Sequence, residues 1–200
     1  MKPLLALVVA YLAGGIPFGY LLVKLKTGED VRSKGSGNIG ATNVLRTTGR
    51  AIAILTLLLD IGKGFFAVWF AGWLTGDSAE WMSAAALAVM AGHAYPVFLK
   101  FQGGKAVASF IGAFLYLTPV PLGAALVVFV IVVAATRHIS MGSVAAAGSL
   151  PLGVWMIEHP PGVVLAASIA AAAFIIYRHR ANVGRIRAGN EHVFKFGGGK

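Results

Sequence analysis

Long apolar runs, parted by short polar segments, recur from one end of this chain to the other. They cover roughly Pro3–Val23, Ala51–Leu74, Ala79–Phe98, Ala106–Thr118, Val120–Thr136, Ile139–Ile157 and Gly162–Tyr177. Such runs cannot be hidden from water by this composition. Charged residues make up 12% of the chain and apolar ones 58%, whereas an ordinary soluble domain is roughly 25% charged. In lipid a backbone must satisfy its own hydrogen bonds, which leaves helices or closed barrels. At about 1.5 Å per residue most of these runs cross a hydrocarbon core of about 30 Å as helices. The expectation is an all-α, polytopic integral membrane bundle of seven transmembrane helices, forming one domain over residues 1–196. A soluble globule, a disordered chain and a disulfide scaffold are excluded. With no cysteine there are neither disulfides nor thiolate metal sites. The closing Gly197-Gly-Gly-Lys200 reads as a cloning remnant and is left out of the domain. The first run is too long for a clean signal peptide and lacks a small-x-small cleavage site before Lys24, so it counts as a span.

The cations sort by connection. Lys24, Lys26, Arg32, Lys34, Arg46 and Arg50 lie between spans one and two. Lys100 and Lys105 lie between three and four, and Arg137 between five and six. Arg178, Arg180, Arg185, Arg187, Lys195 and Lys200 follow span seven. Of the 17 Lys and Arg only Lys2 and Lys63 fall elsewhere. The positive-inside rule therefore puts the N-terminus outside and the C-terminus in the cytoplasm. The net charge of +10 is then mostly topology, and nucleic acid has no part in it. Span four is short, reaching only about 20 Å as a helix. Reading it as re-entrant would move the C-terminal cations outside, so it is kept as a crossing. Gly103-Gly104 before it is expected to line a cavity within the membrane depth. Gly15-Ile-Pro-Phe-Gly19 and Ala166–Ala173 carry the small residues that let helices approach closely. No internal repeat points to an inverted-repeat transporter.

Three cytoplasmic segments hold the unusual chemistry. The first is Arg32-Ser-Lys-Gly-Ser-Gly-Asn-Ile-Gly-Ala-Thr-Asn-Val-Leu-Arg46. It matches a dinucleotide fingerprint formally, but no strand precedes it and no βαβ unit surrounds it. Its glycines expose N–H groups, Ser36, Thr42 and Asn43 supply donors, and Arg46 supplies a fork, a combination suited to phosphate. The alternative is a solvated basic loop. The second runs from Gly92-His93 to Gly103-Gly-Lys-Ala-Val-Ala108. Leu99 and Ala106 occupy the positions where a Walker A loop needs Gly and Ser or Thr, so that motif is rejected. Gly103, Gly104 and Lys105 lead into span four, offering bare N–H groups, a helix N-terminus and a cation to an anion. His93 alone reads as a packed, hydrogen-bonded histidine. The third is Arg178-His-Arg-Ala-Asn-Val-Gly-Arg-Ile-Arg-Ala-Gly-Asn-Glu191. Lipid anchoring accounts for its arginines, but not for His179, Asn182 and Glu191.

Asp60 and Lys63 share one face of span two. Intramembrane charges are functional suspects, although mutual neutralisation accounts for this pair slightly better. There is no Gly-x-Ser-x-Gly elbow, no His-Glu-x-x-His, no His followed five positions later by Asp, and no cluster with metal-ligand spacing.

Taken in order, Gly-Ser-Gly-Asn-Ile-Gly-Ala-Thr-Asn with Arg46, Gly-His-x-x-Pro through Gly-Gly-Lys-x-Val-Ala, and His-Arg-x-Asn-x-x-Arg through Gly-x-Glu resemble the PlsY family over the whole chain. These are bacterial membrane acyl-phosphate:glycerol-3-phosphate acyltransferases. Val183 stands where that family more often has isoleucine. The resemblance implies transfer of a fatty acyl group from acyl phosphate to the sn-1 hydroxyl of glycerol 3-phosphate. The products are lysophosphatidic acid and phosphate, in the first step of phospholipid biosynthesis. It implies no metal, no organic cofactor and no direct use of acyl-CoA or acyl carrier protein. It also implies a multi-pass protein of the plasma (inner) membrane with its site on the cytoplasmic side. The partners implied are the two small-molecule substrates, membrane lipid and the enzyme that makes acyl phosphate.

The residues suit that chemistry. An acyl phosphate is an activated mixed anhydride, so positioning and charge stabilisation suffice. Gly103, Gly104 and Lys105, with Ser143, are assigned to acyl phosphate. Ser36, Arg46, His179 and Asn182 are assigned to glycerol 3-phosphate. His179, Lys105, Arg46 and Ser36 are the candidate catalytic residues. Asn38, Thr42 and Asn43 shape the first loop or donate to either substrate, and Glu191 orients the basic tail. His179, His93 and a substrate phosphate oxygen are all admissible as general base, with the phosphate favoured. The competing class is a transporter for an organic phosphate. It would need polar residues toward the outer face, and apart from Asp60 and Lys63 the outer halves are apolar.

Overall fold

Proline and glycine set where the helices start, break and stop. The structure, a computed structural model, describes residues 1–194. The chain divides into two compact units, Met1–Leu117 and Thr118–Lys200.

In the first unit α1 (Lys2–Gly15) and α2 (Phe18–Thr27) form one apolar stretch with a break between them. Ile16 is extended there (φ −66, ψ 115) because Pro17 disfavours helical geometry in the residue before it. A short 3-10 turn (Val31–Ser33) and α3 (Ala41–Thr47) precede α4 (Arg50–Thr75), which ends on left-handed Gly76. Next come α5 (Ala79–Ala94), capped by Ser78 accepting from the Trp81 N–H at 3.4 Å, a 3-10 turn (Val97–Leu99) and α6 (Val107–Leu117). Helix α1 packs on α5 and α4, and α4 packs on α6.

Those crossings depend on glycine. A Cβ on Gly14 would strike the Val89 carbonyl, and one on Gly92 the Tyr11 carbonyl, so α1 and α5 bring their backbones together reciprocally. Gly64 against Ser109 and Gly112 against Ile61 do the same for α4 and α6. Small residues inside and large apolar ones outside are what lipid permits, since hydrocarbon exerts no hydrophobic force between helices. Ala6, Ala10, Ala67, Ala71, Ala85 and Ala113 are fully buried, whereas Leu4, Leu58, Trp73 and Phe98 are exposed. The expected small-xxx-small face at Gly15 and Gly19 is divided by the helix break. Gly19 instead approaches the Ile39 carbonyl of the first polar loop.

In the second unit α7 (Pro119–Thr136), α8 (Ile139–Gly153), α9 (Gly162–Arg178) and α10 (Arg180–Arg187) follow. Helix α8 packs on both α7 and α9. Pro151 lies within α8, and the helix continues past it as a π turn over Val154–Glu158. The Glu158 carboxylate accepts from the Val120 N–H at 3.3 Å at the start of α7. Ala167, Ser168, Ala171 and Ala172 of the small-residue run are buried in α9.

Among the described residues, five stretches are long and apolar enough to cross a membrane: Lys2–Thr27, Arg50–Thr75, Ala79–Leu99, Pro119–Thr136 and Ile139–Glu158. Helices α9 and α10, bent by 49° at His179, make a sixth if taken as one span. The expected span Ala106–Thr118 is an 11-residue helix, about 17 Å long. Left-handed Ala106 (φ 63) delays its start, and Pro119 opens the next helix. Gly197–Lys200 lies outside the described residues.

Candidate active site

The first polar segment folds around one amide. Asn43, in α3, is 2% exposed. Its Nδ2 donates to the carbonyls of Val31 (3.1 Å), Lys34 (3.1 Å) and Asn38 (2.8 Å), and its Oδ1 accepts from the Ser36 N–H (2.8 Å). Gly35 sits at φ +59, and a Cβ there would strike Asn43 Oδ1. Asn38 Oδ1 accepts from the Gly40 N–H at 2.9 Å in the turn that starts α3. Asn43 was expected to shape the loop or to donate to a substrate. The second role is corrected, because its two N–H groups already serve three carbonyls. Thr42 is half-buried in the first turn of α3, and Ser36 and Arg46 are exposed. Of the loop cations, Arg32 is forked onto Asp30 (2.7 Å) and Lys34 pairs with Glu29 (2.6 Å). The hydrogen-bonded Arg32 guanidinium holds the Asp30 carboxyl below its ordinary value.

The second segment is a strained turn between α5 and α6. Lys100 (φ 52), Phe101 (φ 62) and Ala106 (φ 63) are all left-handed without being glycine. Each costs about 1–3 kcal/mol unless its surroundings impose it. Leu99 does part of that by packing into the cluster of Val23, Val31, Ile39 and Val44, which joins this turn to the first loop. A crevice of about 550 Å³ lies between the two, lined by Tyr20, Arg32, Ser33 and Lys100 among others. The glycines do not present bare N–H groups, contrary to expectation. The Gly103 N–H donates to the Ala94 carbonyl (3.2 Å) and the Gly104 N–H to the His93 carbonyl (3.0 Å). The returning chain thus closes carbonyls that the end of α5 leaves without helical partners. Helix α6 begins just beyond Lys105, and its first N–H groups have no intrahelical acceptor.

Beneath this turn lies a buried polar set. Lys63 Nζ is 2.7 Å from Asp60 Oδ1, and both side chains are nearly inaccessible. Lys63 also donates to the Ile16 carbonyl at 2.9 Å. His93 Nδ1 is 3.7 Å from Asp60 Oδ1 and 3.3 Å from Ser109 Oγ. The pairing of Asp60 with Lys63 was legible from their spacing. The links to His93 and Ser109 were not, since no local pattern joins residues on three helices.

In the second unit His179 is 3% exposed at the bend between α9 and α10. Its Nδ1 is 2.8 Å from the Ile175 carbonyl. A carbonyl only accepts, so in the neutral ring Nδ1 carries the proton. Asn182, 5% exposed, donates from Nδ2 to Glu191 Oε1 at 2.6 Å. Ser140 Oγ reaches the same oxygen at 3.0 Å, and Arg185 Nε reaches Oε2 at 2.7 Å. Burial raises the Glu191 carboxyl, but the bonds from Asn182, Arg185 and Ser140 outweigh it and hold the group below its ordinary value. Ser140, 51 residues away in sequence, was not anticipated. Ser143 is buried, and its hydroxyl donates to the Ile139 carbonyl at 2.9 Å. Holding a phosphate would require that O–H to rotate.

Residues 4–189 match the family described as Glycerol-3-phosphate acyltransferase. A protein of that name from Geobacter sulfurreducens is 44% identical over 195 residues, covering 98% of this chain and 99% of the relative. One from Trichlorobacter lovleyi is 46% identical over 186 residues, covering 93% and 94%. Among solved structures, the chain is similar to PlsY, an integral membrane glycerol 3-phosphate acyltransferase. The glycerol 3-phosphate form superposes with a TM-score of 0.92 at 37% identity, covering 98% of this chain and 96% of that one. The lysophosphatidic acid form gives 0.89 at 36%. Likeness of this extent, running through all three polar segments, makes the chain a member of the glycerol-3-phosphate acyltransferase family.

Proposed function

We propose that this protein is a multi-pass membrane enzyme that acylates the sn-1 hydroxyl of glycerol 3-phosphate from acyl phosphate. The family match over residues 4–189, which takes in the first two polar segments and all of the third but its last two residues, carries the reading. The hydroxyl oxygen attacks the acyl carbonyl carbon and the carbon–oxygen bond to phosphate breaks. The products are lysophosphatidic acid and inorganic phosphate, and the hydroxyl proton ends on the phosphate. A mixed anhydride is reactive enough for this without a covalent enzyme intermediate, so orientation and anion stabilisation are the chain's contribution.

Lys105 and the start of α6 take the phosphate of the donor, with Gly103 and Gly104 shaping the turn behind them. Arg46, with its forked guanidinium, and Ser36 take the glycerol phosphate. By their motif His179 and Asn182 are assigned to the same acceptor, and Ser143 to the donor. The departing phosphate oxygen is the favoured proton acceptor, with His179 Nε2 and His93 as the other candidates. The units form one acyltransferase domain over residues 1–196. Seven crossings, with α6 as a short one, place the N-terminus outside and the site at the cytoplasmic face of the inner membrane. The support for that orientation is the distribution of Lys and Arg. The enzyme that makes acyl phosphate is a partner on this reading.

The test is turnover by purified protein in detergent. Acyl phosphate and glycerol 3-phosphate should give lysophosphatidic acid and phosphate in equal amounts, with acyl-CoA and acyl carrier protein inert as donors. No product, or product from a thioester alone, overturns the reading. Glycerol phosphate flux into proteoliposomes without turnover would favour the transporter.

A further inference from the structure

The chemistry above leaves Asp60 and Lys63 without a task, although charge within a membrane helix is costly. A buried ion pair is also a poor way to gain stability, since apolar side chains of similar volume often serve as well or better. Its placement is informative. Asp60 belongs to α4, His93 to the last turn of α5 and Ser109 to the first turn of α6. The His93 ring has Ser109 Oγ at 3.3 Å and Asp60 Oδ1 at 3.7 Å on its Nδ1 side. On its Nε2 side it fills the place that a Cβ on residue 104 would occupy. The His93 carbonyl receives the Gly104 N–H. Lys63 completes the set by joining Asp60 to the Ile16 carbonyl at the break between α1 and α2.

We propose that Lys63, Asp60 and His93 are positioning residues that hold Lys105 and the start of α6 in the geometry that receives acyl phosphate. The turn between α5 and α6 contains three left-handed non-glycine residues, so it relaxes unless something imposes its shape. The imidazole is that support. It is wedged under Gly104, with the Ser109 hydroxyl of α6 at hydrogen-bond distance from Nδ1 and the Asp60 carboxylate of α4 3.7 Å away on the same side. An apolar filler would occupy the space without directing the ring. The inference rests on the reading that this turn takes the donor.

Single changes at Asp60 or Lys63 strand a buried charge and can prevent folding, so the decisive variant is the double Asp60→Leu/Lys63→Met. It should fold, with a Tm near that of the wild type. Its KM for acyl phosphate should rise about tenfold, while its KM for glycerol 3-phosphate stays within about twofold. Amide hydrogen exchange over residues 103–108 should quicken, with the rest of α4 and α5 unchanged. His93→Gln, which retains a polar group beside Ser109, should keep more donor affinity than His93→Ala, and equal donor KM values near wild type for both would overturn the proposal. A folded double variant with wild-type donor KM, or with both KM values raised together, overturns the proposal. So does quickened exchange without a change in donor KM. If wild-type protein shows no turnover of acyl phosphate at all, the reading of function fails as well, which is a different result from any of these.

Discussion

Removing the Glu191 carboxylate should loosen the end of the second unit by an amount that its contacts allow us to work out. Asn182 and Ser140 both donate to Oε1 from largely buried positions. A hydrogen bond to a charged group contributes about 1.5–3 kcal/mol. Arg185 donates to Oε2 but is 44% exposed, so that ion pair adds at most about 1 kcal/mol. Because the three share one acceptor group, the terms do not add fully, and Glu191→Ala should destabilise by about 3–5 kcal/mol. For a chain of this size that is a fall in Tm of roughly 10 °C. Glu191→Gln keeps a carbonyl oxygen for Asn182 and Ser140 but turns an amide N–H₂ toward Arg185. It should lose only about 1–2 kcal/mol. The sign with pH follows from the same contacts. The folded carboxyl titrates below its ordinary value of 4.5. Its contribution is therefore complete above 4.5 and fades as pH falls through the lower folded value. Thermal unfolding in detergent from pH 7 to pH 3 should show the Tm gap between wild type and Glu191→Ala closing at the acid end. The KM for glycerol 3-phosphate should follow the same order, because Asn182 loses the acceptor that aims it. An alanine variant with wild-type Tm and acceptor KM would refute this account, as would a glutamine variant as damaged as the alanine one.

Gly104→Ala should raise the KM for acyl phosphate more than that for glycerol 3-phosphate, by about 5- to 100-fold. The new Cβ falls on His93 Nε2, and overpacking costs about 1–3 kcal/mol; a change in acceptor KM alone would mean that the turn serves the other substrate. Arg46→Lys should lower kcat/KM about 10- to 100-fold by removing one charge-assisted bond, whereas Arg50→Lys should stay near wild type, since a membrane anchor needs only charge. Equal, near-wild-type values for both would remove Arg46 from the site. Reporter fusions should find the loops near Arg32, Gly104 and His138 in the cytoplasm and those near Asp77, Thr118 and His159 outside. A cytoplasmic signal at Thr118 would sink the seven-span count.

Helices and a membrane setting were legible in the sequence because both are local consequences of composition. A long apolar run in lipid has little choice but to satisfy its backbone as a helix. Gly, Asn, Thr and Arg cluster within a few residues of one another, which is the local signal behind the phosphate assignment proposed for the first loop. Tertiary structure decided what lies between those clusters. Nothing in the run from Gly103 to Lys105 says that the glycine N–H groups close the end of α5 rather than face a ligand. That depends on the chain turning back through left-handed Lys100 and Phe101. Asn43 looked like a possible substrate donor until its amide was found inside the loop. The spacing of Asp60 and Lys63 announced their pairing, but the meeting of Asp60 with His93 depends on how closely helices cross. The crossings that flank this meeting, α1 with α5 and α4 with α6, are governed by Gly14, Gly92, Gly64 and Gly112, where the absence of a Cβ brings backbones together. A sequence shows that such glycines exist; only the packed helices show which carbonyl each one meets.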